Sequence, residues 1–427
     1  MLLIKNARLV DPASGTDGQR DILIRDDRIL RIADEISTEG TENLAVLDAS
    51  GLTAIPGLVD AHVHFRDPGF TYKEDIETGS ASAAAGGVTT VVLMGNTKPC
   101  VDTVETLRYV LDKGKDMPIR VESCANVTVG MKGQKLTDMP ALLAAGAVGF
   151  TDDGIPLVDE AIALESMKAA AALGVPISFH EENPAFIANN GINRGKASEF
   201  FGIGGSPRQA EIDLIARDVK LAEETGACVV IQHISTKEGV ELVREARKRG
   251  ADVHAEATPH HFTLTEDAAI KCGTLAKMNP PLREEADRLA IIEGLKDNTI
   301  DLIATDHAPH SAEEKAKPVT DAPSGIIGLE TALALGISSL VDAKELSLSE
   351  LVTRMSLAPA KLYGLDAGYI GEEGPADLVL FAPEEEWTAD RFVSRSQNSP
   401  FLGETMKGKI HYTICRGRVV YSDESSR

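Results

Sequence analysis

From about residue 52 to residue 365, short apolar runs alternate with alanine-rich amphipathic stretches, and few folds accommodate so long an alternation. The apolar runs are 54–64, 88–96, 119–126, 147–153, 175–180, 227–233, 252–258 and 301–306. Helical periodicity is plain in 159–173, 208–224 and 237–249. Gly174 and Gly226 stand just before two of the apolar runs, where they fit helix C-caps. Eight strands each followed by a helical segment predict an α/β fold of the (β/α)8 type, a closed TIM barrel.

The flanks follow another rule. Residues 2–50 alternate apolar and polar positions, as in Ile22-Leu23-Ile24-Arg25-Asp26-Asp27-Arg28-Ile29, and the tail does so again in Ala376–Phe381 and 408–421. Both read as antiparallel strands. Being at opposite ends of the sequence, they are expected to join into one small β-sandwich domain, 1–51 with 366–427, beside a barrel of 52–365. The 427 residues suit one barrel of about 250 to 400 residues with such an appendage. Two long loops interrupt the barrel, 181–206 after strand five and 307–328 after strand eight, and loops of that length at strand C-termini are expected to cover an active site.

Composition narrows the function classes. No run approaches the roughly 20 apolar residues of a membrane span, and Met1–Asn6 turns polar too soon for a signal peptide. A net charge of −23 argues against nucleic acid or an anionic membrane as partner. It leaves room for a small anionic substrate, because surface charges are screened over about 8 Å at physiological salt. The five cysteines, Cys100, Cys124, Cys228, Cys272 and Cys415, are scattered without CxxC spacing. The expectation is a reduced cytoplasmic location and no cysteine zinc site.

Chemistry in a barrel collects at the C-terminal ends of its strands. Strand one ends in His62 and His64, two residues apart and so on one face. Strand four ends in Asp152-Asp153, strand five in His180, strand six in His233 and strand eight in Asp306. Imidazoles and carboxylates without thiolate suit zinc or a similar divalent ion, one or two per subunit, and two ions would need a bridge that Asp153 is placed to provide. Zinc lowers the pKa of bound water from 15.7 to about 7, giving hydroxide at neutral pH. Asp306 could take that proton and return it to a leaving nitrogen, which is hydrolysis at a carbonyl or the reverse condensation.

With these residues in place, Asp60-Ala61-His62-Val63-His64-Phe65-Arg66-Asp67-Pro68-Gly69 and Ala304-Thr305-Asp306-His307-Ala308-Pro309-His310 resemble the two signatures of the dihydroorotase family, within the amidohydrolase superfamily. The likeness continues through Asn96-Thr97, Phe150-Thr151-Asp152-Asp153-Gly154, Gln232–Lys237, Thr258-Pro259-His260-His261 and Lys277–Arg283, and reaches Ala376–Val379 in the tail. It implies that His62, His64, Asp153, His180, His233 and Asp306 are metal ligands, Asp153 being shared and Asp306 also shuttling the proton. The family's spacing from His180 selects Asp153 over Asp152, which becomes a supporting or capping residue. Arg66, Asn96 and His310 would hold a substrate carboxylate with the backbone of Ser324 and Gly325, while His64 would also face the substrate and Asn279 the ring.

The implied activity is the interconversion of N-carbamoyl-L-aspartate and L-dihydroorotate in pyrimidine synthesis. The implied partners are that small-molecule substrate and a second copy of the chain, with association with aspartate transcarbamoylase left open. Gly95 in place of a frequent proline, Ser324 in place of a frequent phenylalanine, and Phe179-His180-Glu181-Glu182 depart from the family pattern and bear on loop packing rather than on ligands.

Two rivals stand against this reading. Hydantoinases, dihydropyrimidinases and allantoinases typically bridge two metals with a carboxylated lysine at the end of strand four, where this sequence has Thr151-Asp152-Asp153-Gly154. A non-catalytic dihydroorotase-like scaffold for aspartate transcarbamoylase would typically have lost metal ligands. His254, in strand seven, is expected to point into the barrel wall, and His411 belongs to the tail strands.

Overall fold

The structure, a computed structural model, describes residues 1–39 and 43–423. Its strands are β1 (Leu2–Asp11), β2 (Thr16–Arg25), β3 (Arg28–Ala33), β4 (Ala45–Asp48), β5 (Thr53–Pro56), β6 (Leu58–Val63), β7 (Val88–Leu93), β8 (Arg120–Ser123), β9 (Phe150–Thr151), β10 (Ile177–Phe179), β11 (Val229–Ile231), β12 (Val253–Ala257), β13 (Leu302–Ile303), β14 (Leu378–Thr388), β15 (Thr405–Cys415) and β16 (Arg418–Ser422). Strands β6 to β8 form one parallel sheet and β9 to β13 another. Parallel bridges between Ala125 and Phe150 and between Val63 and His307 join them into a closed ring. The (β/α)8 barrel read from the alternation is present.

The helical stretches form as their ends dictate. Glu160–Leu173 starts at Asp159, whose carboxylate accepts from the amides of Ala161 and Ile162, and stops at Gly174 with φ +66°. Gln209–Thr225 stops at Gly226 in the same left-handed conformation. Buried faces of these helices meet the outward side chains of the strands in one large apolar core, which includes Met167, Ile215, Val229 and Ile231.

The run 54–64 proves to be two strands. Thr53–Pro56 pairs antiparallel with β14 and parallel with β1, so the terminal sheet extends past residue 51 to Pro56. Gly57 makes the step into the barrel: a Cβ there would lie 2.1 Å from Thr89 Oγ1, so only glycine lets β6 approach β7. The terminal sheet has the order β16-β15-β14-β5-β1-β2-β3, with β4 on β1. It curls back on itself where Arg28 bridges Pro375 and the Ile29 amide donates to the Gly374 carbonyl. Ile4, Ile22, Ile24, Leu378, Leu380 and Ile414 fill the core of this β-sandwich. Among the described residues, no helix is long and apolar enough to cross a membrane.

Candidate active site

Six side chains expected at the barrel rim converge, although they come from strand ends as far apart in the sequence as β6 and β13. His62 lies in β6 and His64 follows it; Asp153, His180, His233 and Asp306 come just after β9, β10, β11 and β13. The paired ladder stops short of His233 and Asp306, which have φ of +35° and +48° and turn their side chains inward off the sheet. Left-handed backbone in residues other than glycine costs of order 1–3 kcal/mol and survives only where surrounding structure imposes it.

Asp153 is the hub. Its carboxylate lies 3.4 Å from His62 Nε2, 3.3 Å from His64 Nε2, 3.7 Å from His180 Nδ1 and 3.6 Å from His233 Nε2. Asp306 faces the same space, 2.9 Å from His64 Nε2 and 3.4 Å from His62 Nε2. His180 Nδ1 is 3.0 Å from His233 Nε2. Burial opposes charge on both carboxylates, but the His62 charge and the imidazoles close beside them prevail, holding Asp153 well below the usual range and Asp306 at about 2.

The far sides of the rings are braced. His62 Nδ1 is 3.0 Å from Glu256 Oε2, His180 Nε2 is 3.2 Å from Glu182 Oε2, and His64 Nδ1 donates to Asn96 Oδ1 at 2.9 Å. A carboxylate or amide behind a ring fixes its tautomer and aims its other nitrogen. Glu256 and Glu182 were not singled out in the sequence. A glutamate inside the apolar strand His254-Ala255-Glu256-Ala257 was the available signal. Asp152 turns away: it accepts from the amides of Val127 and Thr128 and from the Thr128 hydroxyl, so it clamps a loop. His261 is tied to Thr258 Oγ1 and the Pro280 carbonyl, while His260 Nε2 is buried without a partner. His307 hydrogen-bonds through Nδ1 to the Gly328 amide and faces Glu74, away from the cluster.

Against this braced background, His62 Nε2, Asp153 Oδ1 and His233 Nδ1 are buried without hydrogen-bond partners. Buried polar atoms are rarely left so. Two of them belong to the converging cluster, where three sets of nitrogen and carboxylate donors each lie within 4.8 Å of one another. Such donors fit a divalent cation.

A cavity of about 160 Å³ opens beside the cluster. All of the residues expected to hold substrate line it: His64, Arg66, Asn96, Asn279, His310, Ser324 and Gly325. Arg66 (φ +59°) donates to the Pro309 carbonyl and stands 3.5 Å from His310 Nε2; among the described residues its guanidinium has no carboxylate partner. The neighbours that could have paired with it are engaged elsewhere, Asp67 with Lys113 and Tyr109 and Glu74 with Thr78 and Ser394. Asn279 Oδ1 and Ser324 Oγ are likewise unpaired. Burial, reinforced by the charges of Arg66, Lys73 and Lys315, pushes His310 far down, so the ring is neutral and its Nε2 donates to the Ser324 carbonyl at 2.8 Å. No lysine lines the cavity.

The loop 307–328, expected to cover the site, is held by a set of hydrogen bonds. Lys315 is 5% exposed and gives its ammonium to the Pro323 carbonyl, and Lys277 bonds the carbonyls of Val319 and Ala322. Asn398, from the tail, bridges the carbonyls of Ala308 and Gly325. The segment is pinned from within by Lys315 and from outside by Lys277 and Asn398.

Comparison with known proteins gives consistent results. Residues 51–239 match the family described as Dihydro-orotase-like. The chain is 54% identical to the dihydroorotase of Clostridioides difficile strain 630 over 422 residues, spanning 99% of this chain and 100% of the relative. Identity to the dihydroorotase of Streptococcus pneumoniae serotype 4 is 51%, again over 99% of this chain and all of the relative. Among solved structures, the L-hydantoinase (dihydropyrimidinase) from Arthrobacter aurescens superposes with a TM-score of 0.86 at 29% identity, covering 99% of this chain and 96% of that one.

Proposed function

Because this chain belongs to the dihydroorotase family, we propose that it catalyses the reversible cyclisation of N-carbamoyl-L-aspartate to L-dihydroorotate and water, and does so with bound zinc. The hydrolysis of cyclic amides is common to its relatives and its structural neighbours. One observation carries the finer reading: an arginine that has no carboxylate partner among the described residues lines the cavity beside the imidazole–carboxylate cluster. A neutral ring offers it nothing, whereas the carboxylate of dihydroorotate accepts two charged hydrogen bonds from a guanidinium.

His62, His64, Asp153, His180, His233 and Asp306 would hold one or two zinc ions, with Asp153 reaching both. A cation bound there supplies a lowered pKa for water and polarisation of the amide carbonyl. Asp306, unprotonated at neutral pH, takes the proton of the attacking water, and as the ring C–N bond breaks it returns that proton to the departing nitrogen. Arg66 and the Asn96 amide hold the substrate carboxylate. His310 holds the Ser324–Gly325 backbone at the cavity wall through its bond to the Ser324 carbonyl, and Asn279 meets the ring. Homodimerisation, which the family resemblance implies, and a cytoplasmic location, for which the scattered cysteines speak, are parts of the same proposal, and association with aspartate transcarbamoylase stays open.

Ring opening of dihydroorotate, dihydrouracil and hydantoin by the zinc-loaded protein tests the assignment. Dihydroorotate is expected to be preferred by at least the 30-fold that a buried charge pair is worth at about 2 kcal/mol. Preference for either neutral ring would overturn it.

A further inference from the structure

The opposite end of the barrel holds a second constellation of ligand-type side chains. Cys228 stands just ahead of β11, Asp252 just ahead of β12, His254 within β12 and Asp301 just ahead of β13. Val230 pairs with His254 in the ladder, which sets Cys228 and His254 on neighbouring strands at the N-terminal face. One donor atom from each of Cys228, Asp252 and His254 lies within 4.8 Å of the other two.

The ring of His254 is held in a particular way. Its Nδ1 is 2.5 Å from Asp301 Oδ2. Asp301 is itself fixed by the Ala255 amide at 3.2 Å and by Arg247 at 3.3 Å, so it can only accept, and Nδ1 donates to it. That leaves Nε2 directed outward, 3.2 Å from Asp252 Oδ1. A carboxylate on one ring nitrogen with the other aimed at further donors is the usual setting of a metal-bound histidine. Sulfur, nitrogen and oxygen donors together suit a borderline-soft divalent ion, and bonds of about 2.0 to 2.3 Å put tetrahedral ligands under about 4 Å apart. The Asp252 side chain is 58% exposed, so a fourth position opens to water.

We propose that Cys228, Asp252 and His254 form a binding site for zinc or a similar thiophilic divalent cation at the N-terminal face of the barrel, with Asp301 orienting the histidine. The alternative is an imidazolium held between two carboxylates with a thiol alongside. In the metal-bound form the cation replaces the proton on Nε2 and the thiol proton, and both are released. Because this face lies away from the cavity, the site would staple β11 to β12 rather than take part in turnover, in keeping with the structural role of that end of a barrel. The proposal is independent of the assignment of the rim.

Sulfur separates the two sites experimentally, since the rim cluster has none. The full chain, stripped of metal and titrated with cobalt(II), is expected to develop a thiolate-to-cobalt charge-transfer absorption and to bind one ion more than Cys228→Ser, which should lose the absorption and keep its ring-opening activity. Asp301→Asn should keep the absorption but weaken cobalt binding about 10- to 100-fold, as loss of an orienting partner does. Should Cys228→Ser fail to fold, Asp252→Asn, altered at an exposed side chain, should bind cobalt at this site at least tenfold more weakly. No charge-transfer absorption at saturating cobalt, or one that survives in Cys228→Ser, or unchanged cobalt affinity in both aspartate variants, would overturn the site and leave the ion pair.

Discussion

At the barrel rim, Arg66, His233 and Asp306 have φ of +59°, +35° and +48°, and buried polar atoms of His62, Asp153 and His233 lack partners. In the terminal sheet, left-handed residues occur at a bulge (Asn6) and at turns (Asp26, Arg416). Among its described strands only Trp387 Nε1 is a buried side-chain polar atom without a partner. The first region leaves hydrogen-bonding capacity unused and holds backbone in costly conformations; the second satisfies nearly every group and packs isoleucine and leucine between its layers. An unsatisfied buried group costs about 1–3 kcal/mol, so the rim is a net liability to folding that apolar packing elsewhere offsets. A site that must grip a cation and a charged substrate is built with its ligands already aimed and its groups unspent.

If that division is right, the two regions should respond to mutation in different currencies. The largest effect is expected from Asp306→Asn, which keeps the side-chain shape but cannot accept a proton: kcat should fall by at least about 10² to 10⁴ while thermal unfolding changes little. A loss below tenfold would assign the proton to another group. Arg66→Met comes next. Removing one partner of a buried charge pair costs about 2–5 kcal/mol, so kcat/KM for dihydroorotate should fall roughly 30- to 5,000-fold, with metal content by elemental analysis unchanged. Normal handling of dihydroorotate by that variant would mean the guanidinium does not touch the substrate.

Leu380→Ala probes the other region. Its side chain is fully buried in the β-sandwich core, and such truncations cost about 2–5 kcal/mol. Denaturant unfolding should register that loss while kcat/KM of the folded protein is unaltered; a drop in activity without a drop in stability would erase the distinction between the regions. The smallest effect concerns the pinned loop. Burial, with Lys277 nearby, lowers Lys315 to about 7, against an ordinary value of 10.5. Between those values the unfolded chain carries a proton that the folded one lacks, so this group's contribution to stability rises with pH. The melting-temperature difference between Lys315→Met and the parent should therefore favour the variant more at pH 7 than at pH 9.5, and a difference independent of pH would show that the ammonium is not desolvated.

The rim was legible in the sequence because barrel geometry converts position at a strand end into position in space. His62, His64, His180, His233 and Asp306 could be placed together from the ladder alone. Asp152 and Asp153 could not be told apart by their own surroundings, since adjacent residues at a strand end diverge according to a turn that only the folded loop defines. Glu256 escaped notice because its role depends on His62, 194 positions away. Nothing in the sequence marks Lys315 as buried, because a lysine's long stem can be buried wherever a carbonyl waits for its head, and no local pattern announces a carbonyl. The single run 54–64 concealed a change of sheet at Gly57, since both halves are apolar and buried.

That change of sheet bears on how the molecule comes into being. Strand β5, one residue from the strand that carries His62, is flanked by β1 from the beginning of the sequence and by β14 from its far end. On the ribosome all eight barrel strands have emerged while the side of β5 that Leu378–Phe381 will cover is still bare. An uncovered strand edge is an invitation to pair with any other chain. Nascent protein is thus most vulnerable when its catalytic half is already complete, and premature termination ahead of β14 would yield an aggregation-prone product rather than a merely weakened enzyme.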